Sequence, residues 1–269
     1  MRPRLSAPAG TVLASIIILT GSPEISPAGE ATAFDHRAFD RVLGKYATSD
    51  GVDYAAVAGA ADLESYLRQL EGADPASLSA SERLAFWINT YNAHTINAVA
   101  VHRPSKSIRE ILLPGRSGEP GPVWKAPMVR VAGRAYTLDE VEHDRIRGEF
   151  KDPRVHFALV CAAASCPPLR REAYTGARLD QQLEDQGHRF LHGHAKGCRV
   201  DAARGILYVS EIFRWYKEDF GDDAAVGRFI LRYLPDSVEK GVLSSGHYRV
   251  STIPFDWSLN DVRGSAEAR

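Results

Sequence analysis

The sequence SASERLAFWINTYNAHTINAVAV, residues 79–101, predicts a long helix with an apolar inner side. Ser79 and Glu82 have the spacing of a capping box, in which two side chains satisfy backbone N–H groups that the first helical turn leaves free. Pro104 ends the helix, because proline has no backbone N–H to donate. The residues at helical spacing on the inner side are Leu84, Trp87, Ile88, Tyr91, Thr95, Ile96 and Val99.

The rest of the chain predicts further helices together with short strands. Apolar spacing predicts helices over 34–46, 60–70, 138–149, 176–193, 210–217 and 222–234. Alternating residues predict hairpins over 128–136 and 199–209 and a last strand over 248–252. Residues 154–161, RVHFALVC, are typical of a mostly buried strand. We therefore predict an α+β fold: a single compact domain, mainly helical, with short β-hairpins and one buried strand that leads into a cysteine loop.

Residues 114–127, PGRSGEPGPVWKAP, predict a long loop because they hold four prolines and three glycines. Long loops in compact domains are often functional, so this one is a candidate wall of a cleft.

The N-terminus has the pattern of a secretory signal peptide. Arg2 and Arg4 precede the uncharged, mostly apolar run TVLASIIILT, residues 11–20. That run is shorter than the about 20 residues that cross a bilayer, so we expect no stable membrane span. We expect a signal peptide over residues 1–33, cleaved between about residues 22 and 33, and a mature domain over 34–269 with a polar tail at 261–269. The predicted location is the periplasm or the extracellular space.

Composition excludes some classes of partner. The chain has 33 Lys+Arg and 34 Asp+Glu, a net charge of −1, which provides no basic field for the phosphates of a nucleic acid. We predict no nucleic-acid partner and no cofactor.

The densest set of reactive side chains extends from Glu142 to Arg170, and its centre, CAAASCPPLR at residues 161–170, follows the predicted buried strand. A cysteine is nucleophilic as its thiolate, which needs a nearby imidazole or positive charge. His143 or His156 is the candidate base for Cys166, and Glu142 is the candidate group to orient it. Strand alternation places His156 and Cys161 on opposite faces.

Three interpretations of Cys166 are open. It is a nucleophile, a disulfide partner of Cys161 or Cys198, or an inert buried thiol. An oxidising compartment favours the disulfide.

Two asparagines lie three residues apart on the helix at 80–101. Asn89 and Asn92 must find hydrogen-bond partners in an apolar helix, since an unpaired buried amide is costly. They either fasten the backbone of the cysteine loop or line a polar site, where an amide can stabilise an oxyanion.

A histidine-rich segment resembles a metal site in its spacing: His188, His192, His194 and Cys198. It lies at a helix C-terminus, where imidazoles are also favoured by the helix dipole. We predict no metal there.

Several motifs occur together along the chain: LAFWINTYN at 84–92, SIREI at 107–111, LDEVEH at 138–143, DPRVHFALVC at 152–161, SCPPL at 165–169, IFRWY at 212–216 and DWSLN at 256–260. With them, the chain resembles the domain-of-unknown-function family 547 (DUF-547) of secreted bacterial proteins, from about Asp53 to Asn260. The resemblance implies no activity, because the family's name records none. The positions that match the family pattern are Asn89, Asn92, Glu142, His143, Arg147, His156, Cys161 and Cys166.

Two functional hypotheses follow. The first is a thiol-dependent hydrolase or acyl transferase that acts on a peptide-like substrate, with Cys166 as the nucleophile. The second is a non-catalytic envelope module that binds a small ligand, such as a thiol peptide, or a partner protein, with Cys161 and Cys166 structural. The expected ligand contacts are Trp87, Tyr91, Arg147, Ser165 and Arg170.

Overall fold

The computed structural model describes residues 33–49, 51–192 and 196–262. The α-helices in these ranges are α1 (Arg37–Tyr46), α2 (Tyr54–Val57), α3 (Ala61–Glu71), α4 (Ala80–His102), α5 (Leu138–Glu140), α6 (Gly148–Phe150), α7 (Leu179–Leu191), α8 (Ile212–Trp215), α9 (Lys217–Phe220), α10 (Asp223–Leu231) and α11 (Val238–Ser245). A π-helix, Val141–Arg147, joins α5 to α6. Short 3₁₀ helices cover Pro75–Ser77, Ile108–Glu110, Val123–Lys125, Pro153–Phe157 and Gly176–Arg178. The predicted α+β class is confirmed.

Helix α4 is buried on nearly every side and lies at the centre of the larger apolar core, where it packs against α2, α3 and the π-helix. A helix that is apolar all round is expected in such a position. The Ser79 hydroxyl accepts the Glu82 N–H as predicted, at 3.3 Å. The Glu82 carboxylate does not complete a capping box, because it accepts the N–H groups of Phe34 and Gly176 instead.

The strands form three small sheets: β1 (Leu112–Pro114) with β2 (Pro120–Pro122), β3 (Val129–Val131) with β4 (Arg134–Tyr136), and β5 (Cys198–Asp201), β6 (Ile206–Ser210) and β7 (Arg249–Ile253). Both predicted hairpins are confirmed. In the first, Ala132 and Gly133 have φ values of 51° and 70°, as a tight two-residue hairpin turn requires. The last strand pairs in parallel with β6.

The segment 114–127 is more ordered than the predicted loop. It contains β2 and the 3₁₀ helix Val123–Lys125, and β2 pairs with β1. Proline and glycine led to the loop prediction, but proline is tolerated in a two-stranded ribbon whose edges face outward.

The buried strand predicted over 154–161 is wrong. Residues 153–157 form a 3₁₀ helix, which Asp152 caps by accepting the Arg154 N–H at 2.9 Å. Pro153 at the first position favours this helical start. A short apolar run fits a buried strand and a buried helical turn equally well, so the pattern could not separate the two.

Some expectations fall outside the described residues. These are the signal peptide apart from Ala33, the tail from residue 263 onward, and His194. Within the ranges that the structure describes, none of the helices combines the length and apolar character needed to cross a membrane.

Candidate functional site

A cleft of about 320 Å³ opens where the π-helix, the cysteine segment and the residues after β7 meet. Most of its wall is apolar and aromatic, and its polar side chains come from the π-helix region and the 3₁₀ helix 153–157. The lining residues are Tyr91, Trp124, Asp139, Glu142, His143, His156, Leu159, Val160, Cys161, Cys166, Pro167, Ile212, Trp215, Tyr216, Phe255 and Trp257. Four of the six catalytic candidates from the sequence, Glu142, His143, His156 and Cys166, line this cleft, whereas Asn89 and Asn92 do not.

Cys161 and Cys166 form a disulfide on the wall of this cleft, with an S–S distance of 2.08 Å. Of the three interpretations of Cys166, the structure corresponds to the disulfide with Cys161. The Cys161 N–H also points at the Cys166 sulfur, at 3.1 Å. No imidazole among the described residues hydrogen-bonds either sulfur. The nucleophile role stays a prediction, and it requires the bridge to be reduced first.

The loop inside the disulfide holds the next cleft segment in place. The Ser165 hydroxyl accepts the Asp256 N–H at 2.8 Å, and the Ser165 N–H donates to the Asp256 carbonyl at 3.2 Å. Ala164 donates to the Ser258 carbonyl at 2.7 Å. Ser165 therefore positions the segment that carries Phe255 and Trp257. It is not part of the cleft lining, and the ligand contact predicted for it stays a prediction.

Glu142 is a buried acid in the cleft wall, with only 7% of its surface exposed. Burial raises its pKa, because the ionised carboxylate loses water there. The hydroxyls of Tyr216 and Tyr91 hydrogen-bond to Glu142 and act in the opposite direction. This raised pKa identifies Glu142 as a candidate functional group.

Four charged or polar side chains form a hydrogen-bonded chain, in which His143 and His156 line the cleft and Arg147 and Asp219 connect them. The Asp219 carboxylate accepts hydrogen bonds from His156 Nε2 and Arg147 Nε, both at 2.6 Å. Arg147 also contacts His143 Nδ1 at 2.7 Å. Because a guanidinium only donates, His143 accepts through Nδ1 and carries its ring proton on Nε2. The chain fixes the orientation of both candidate bases.

His156 is held in a largely apolar position. Its ring stacks on Tyr216, with the centroids 3.8 Å apart. Burial lowers the pKa of His156 to about 4, although its hydrogen bond with Asp219 acts in the opposite direction. The imidazole is therefore neutral near pH 7. His156 and Cys161 line the same cleft, so the opposite faces expected from strand alternation were wrong, because the strand is absent.

Asn89 and Asn92 bind backbone groups at both ends of their amides. Asn92 donates to the Ala158 carbonyl at 2.9 Å and accepts the Val160 N–H at 3.0 Å, just before the disulfide. Asn89 makes the same pair of bonds to Tyr174. The fastening of the cysteine segment predicted from the sequence is confirmed for Asn92, whereas Asn89 fastens a different segment.

The predicted ligand contacts divide between the cleft and the core. Tyr91 lines the cleft. Arg147 does not line it but contacts His143, which does. Trp87 lies outside the cleft and packs edge to face on Tyr136 in the main core, with their centroids 5.5 Å apart. Arg170 also lies outside, where it pairs with Glu172 and Asp185. Trp87 and Arg170 are close in sequence to residues that line the cleft, but neither is part of its lining.

The aromatic rim of the cleft consists of Trp124, Trp215, Phe255 and Trp257. Trp124 lies in the segment 114–127 that was predicted as a candidate wall of a cleft, whereas sequence reasoning missed the other three. Trp257 contacts each of the other three, with centroid distances of 4.7 to 6.1 Å. Trp215 is 45% exposed. The sequence did contain a signal for this rim: tryptophans occur in the predicted loop and in the motifs IFRWY and DWSLN. None of these positions had been predicted as core, and exposed aromatic side chains often mark binding sites.

The histidine-rich segment has structural contacts. His192 Nε2 bonds the Tyr233 carbonyl, and His188 packs edge to face on Tyr233. Cys198 is a free buried thiol whose pKa is raised to about 12 by burial. Among the described residues, no three His, Cys, Asp or Glu side chains are grouped so that they could hold a metal ion.

Comparison with known families gives one match. Residues 75–191 match the family described as "Protein of unknown function, DUF547". Comparisons with curated proteins and with solved structures gave no match. The matched part contains α4, the π-helix, His156 and the disulfide, whereas Trp215, Phe255 and Trp257 lie beyond it.

Proposed function

We propose, from the match of residues 75–191 to the DUF547 family of unknown function and from the geometry of the site, that this protein binds a small-molecule or peptide ligand in the cleft. The observation that supports this most directly is the cleft itself, which is concave, with a mostly apolar and aromatic wall and a few converging polar groups. Binding sites commonly have this composition. The Cys161–Cys166 disulfide is then a structural staple of one wall.

The parts of the wall are fastened independently of any ligand. Asn92 holds the segment before the disulfide, and Ser165 holds the segment of the aromatic rim. Preformed walls lower the ordering cost of binding. This supports a ligand-binding role for the oxidised protein.

The neutral fluorescent probe N-phenyl-1-naphthylamine tests the proposal. We expect saturable binding at one site, detected by energy transfer from the cleft tryptophans. Trp215→Ala should weaken binding roughly five- to tenfold, because one aromatic contact contributes about 1 kcal/mol. Leu112→Ala is the matched control, since it removes another exposed apolar side chain far along the chain. Absent saturation in the native protein, or equal weakening by both variants, would overturn the proposal.

A second candidate is the thiol-dependent hydrolase or acyl transferase. It is favoured by one observation: His156, Cys161 and Cys166 line the same cleft. An external thiol reductant would first convert the disulfide into two thiols and would itself be oxidised. An imidazole would take the proton of the Cys166 thiol, the thiolate would attack an acyl carbon, and the leaving group would depart with that proton. Water, or an acceptor nucleophile in a transferase, would then cleave the thioester and restore the thiol.

Hydrolysis of 4-nitrophenyl acetate distinguishes the two candidates. A thiol enzyme is inactive when oxidised and gains activity after reduction, and both iodoacetamide and Cys166→Ala abolish that gain. Cys198→Ala is the control, because Cys198 is free and buried. If reduced native protein and Cys166→Ala hydrolyse the ester equally, the second candidate is rejected.

Export is part of the proposal. Its support is the pattern of Arg2, Arg4 and the apolar run at 11–20, together with a disulfide, which is usual in oxidising compartments. Intact mass of the protein recovered from a bacterial host should place the first residue between about 23 and 34. Recovery of the chain from Met1 in the cytoplasm would contradict export.

A further inference from the structure

We propose that the ligand of the cleft carries a cationic amine or quaternary ammonium group, which lies between the aromatic rim and the carboxyl groups of Asp139 and Glu142. This inference rests on the proposed binding function and adds the chemical class of the ligand. Three features of the cleft support this inference: the cavity, the charge of its wall and the faces of its aromatic rings.

The wall of the cleft has an excess of acidic groups. Its described lining includes Asp139 and Glu142 but neither lysine nor arginine. Arg147, which contacts the lining residue His143, is ion-paired with Asp219 at 2.6 Å, and this pair offsets its charge. His156 is neutral near pH 7, because burial lowers its pKa to about 4. A cation therefore complements the cleft electrostatically, and an anion does not.

The aromatic walls favour the same ligand. The face of an aromatic ring is electron-rich and attracts cations, and tryptophan does so most strongly. Two of these rings already contact guanidinium groups of the chain. Arg147 lies 4.9 Å from the Tyr216 centroid, and Arg109 lies 5.2 Å from the Trp257 centroid. Trp124 and Trp215 line the same cleft, and neither has a cation of the chain over its ring among the described contacts.

Nearby basic groups act on the two carboxyl groups, His143 and Lys125 on Asp139 and His143 and Arg147 on Glu142, but the counter-charge that they supply does not offset burial. Burial raises the pKa of Glu142 and also the pKa of Asp139, because each ionised form is poorly hydrated in the wall. A cation beside them would supply further counter-charge. A neutral ligand of the same shape would not supply this counter-charge. We therefore expect the cleft to bind a cationic ligand more tightly than a neutral one.

Three ligands of similar size test the inference at pH 7.5: benzylamine, benzyl alcohol and benzoate. Each is titrated against bound N-phenyl-1-naphthylamine, and the displacement gives its affinity. Benzylamine is a cation at this pH, benzyl alcohol is neutral and benzoate is an anion. We expect benzylamine to bind at least about tenfold more tightly than benzyl alcohol, with benzoate the weakest.

Two matched variants locate the effect in the cleft. Glu142→Gln removes one ionisable carboxyl group from the wall and keeps the size of the side chain, whereas Asp144→Asn removes one from an exposed position on the same π-helix. We expect Glu142→Gln to weaken benzylamine about tenfold and to change benzyl alcohol less than twofold. Asp144→Asn should behave like the native protein.

The outcomes separate this inference from the binding function on which it rests. If the probe binds and Trp215→Ala weakens it, but benzylamine and benzyl alcohol displace it equally, binding stands and the cation inference is overturned. The same follows if Asp144→Asn and Glu142→Gln weaken benzylamine equally. If the probe does not bind the native protein, the proposed function itself fails.

Discussion

Asn92 lies on α4 with both ends of its amide bonded to the segment that leads into the disulfide. Its partners, the Ala158 carbonyl and the Val160 N–H, are buried backbone groups. Backbone groups that lose such a partner inside a protein stay unsatisfied, because water does not reach them. The residue thus links the core helix to one wall of the cleft.

We predict that Asn92→Ala lowers the free energy of unfolding by about 2–4 kcal/mol, because two buried backbone groups lose their partners. Urea unfolding followed by circular dichroism measures the change. Asn97→Ala is the control: it makes the same substitution on the same helix at a partly exposed position. There we expect a change within about 0.5 kcal/mol. Equal losses in the two variants would show that the hydrogen bonds of Asn92 do not carry the effect.

Single residues also show what the sequence could and could not predict about the site. Glu142, His143, His156 and Cys166 were found because their chemistry is visible in the residue type. Trp215 and Trp257 were missed because an aromatic residue fits a core position as well as a cleft, and only the fold separates the two. The disulfide was one of three open alternatives, since spacing alone does not show which sulfurs meet.

At the scale of elements, the π-helix Val141–Arg147 carries Glu142, one of the two acidic side chains of the cleft wall. At its end the Gly148 N–H donates to the His143 carbonyl, five residues back. π-helical turns often occur at functional sites. The sequence predicted a helix over 138–149 correctly, but apolar spacing does not report the hydrogen-bond pattern within a helix.

Gly148 permits this turn because a side chain there would meet backbone. An added Cβ would lie 2.9 Å from the His143 carbonyl oxygen. We predict that Gly148→Ala lowers the free energy of unfolding by about 1–3 kcal/mol, because the turn must shift to relieve the contact. Thermal and urea unfolding measure the effect.

Gly241→Ala is the matched substitution on α11, where an added Cβ meets no atom within 4 Å. There alanine should raise stability by about 0.5–1 kcal/mol, because it reduces the entropy of the unfolded chain. The two substitutions are thus expected to have opposite signs. Stabilisation by Gly148→Ala would contradict the tight turn.

The buried strand predicted over 154–161 shows the limit of pattern at this scale. Its apolar residues are buried as expected, but the chain reaches that burial through a 3₁₀ helix capped by Asp152. A strand needs a partner strand across which to hydrogen-bond, and sequence spacing does not reveal whether one is adjacent.

Over the whole molecule, three buried histidines make stability depend on pH. Burial lowers the pKa of His36, His94 and His156 to about 4, against about 6.5 in an unfolded chain. Between these values the unfolded chain binds more protons, so stability falls as pH falls from about 6.5 towards 4. The raised pKa values of Glu142 and Asp139 act in the opposite direction, which reduces the net loss.

A single substitution separates the contribution of one histidine to this pH dependence from the contributions of the other groups. His94 is buried in α4, and its Nδ1 bonds the Thr90 carbonyl at 2.9 Å. With the pKa of His94 near 4 when folded, its contribution to the stability lost between pH 7.5 and pH 5 is about 2 kcal/mol. We predict that the free energy of unfolding of His94→Gln falls by about 2 kcal/mol less than that of the native protein over this interval, whatever the stability of the variant at pH 7.5. Urea unfolding of both proteins at both pH values measures this double difference, which is the pH effect in the native protein minus the pH effect in the variant.

The control for that double difference is His102→Gln, at the exposed end of the same helix. It removes an imidazole of the same kind without opening the core, so the pH dependence of the native protein should be retained. If His94→Gln and His102→Gln both keep the native pH dependence, burial of His94 does not suppress its protonation. If only His94→Gln flattens it, the acid sensitivity of the fold comes from imidazoles enclosed by the same core that supports the cleft.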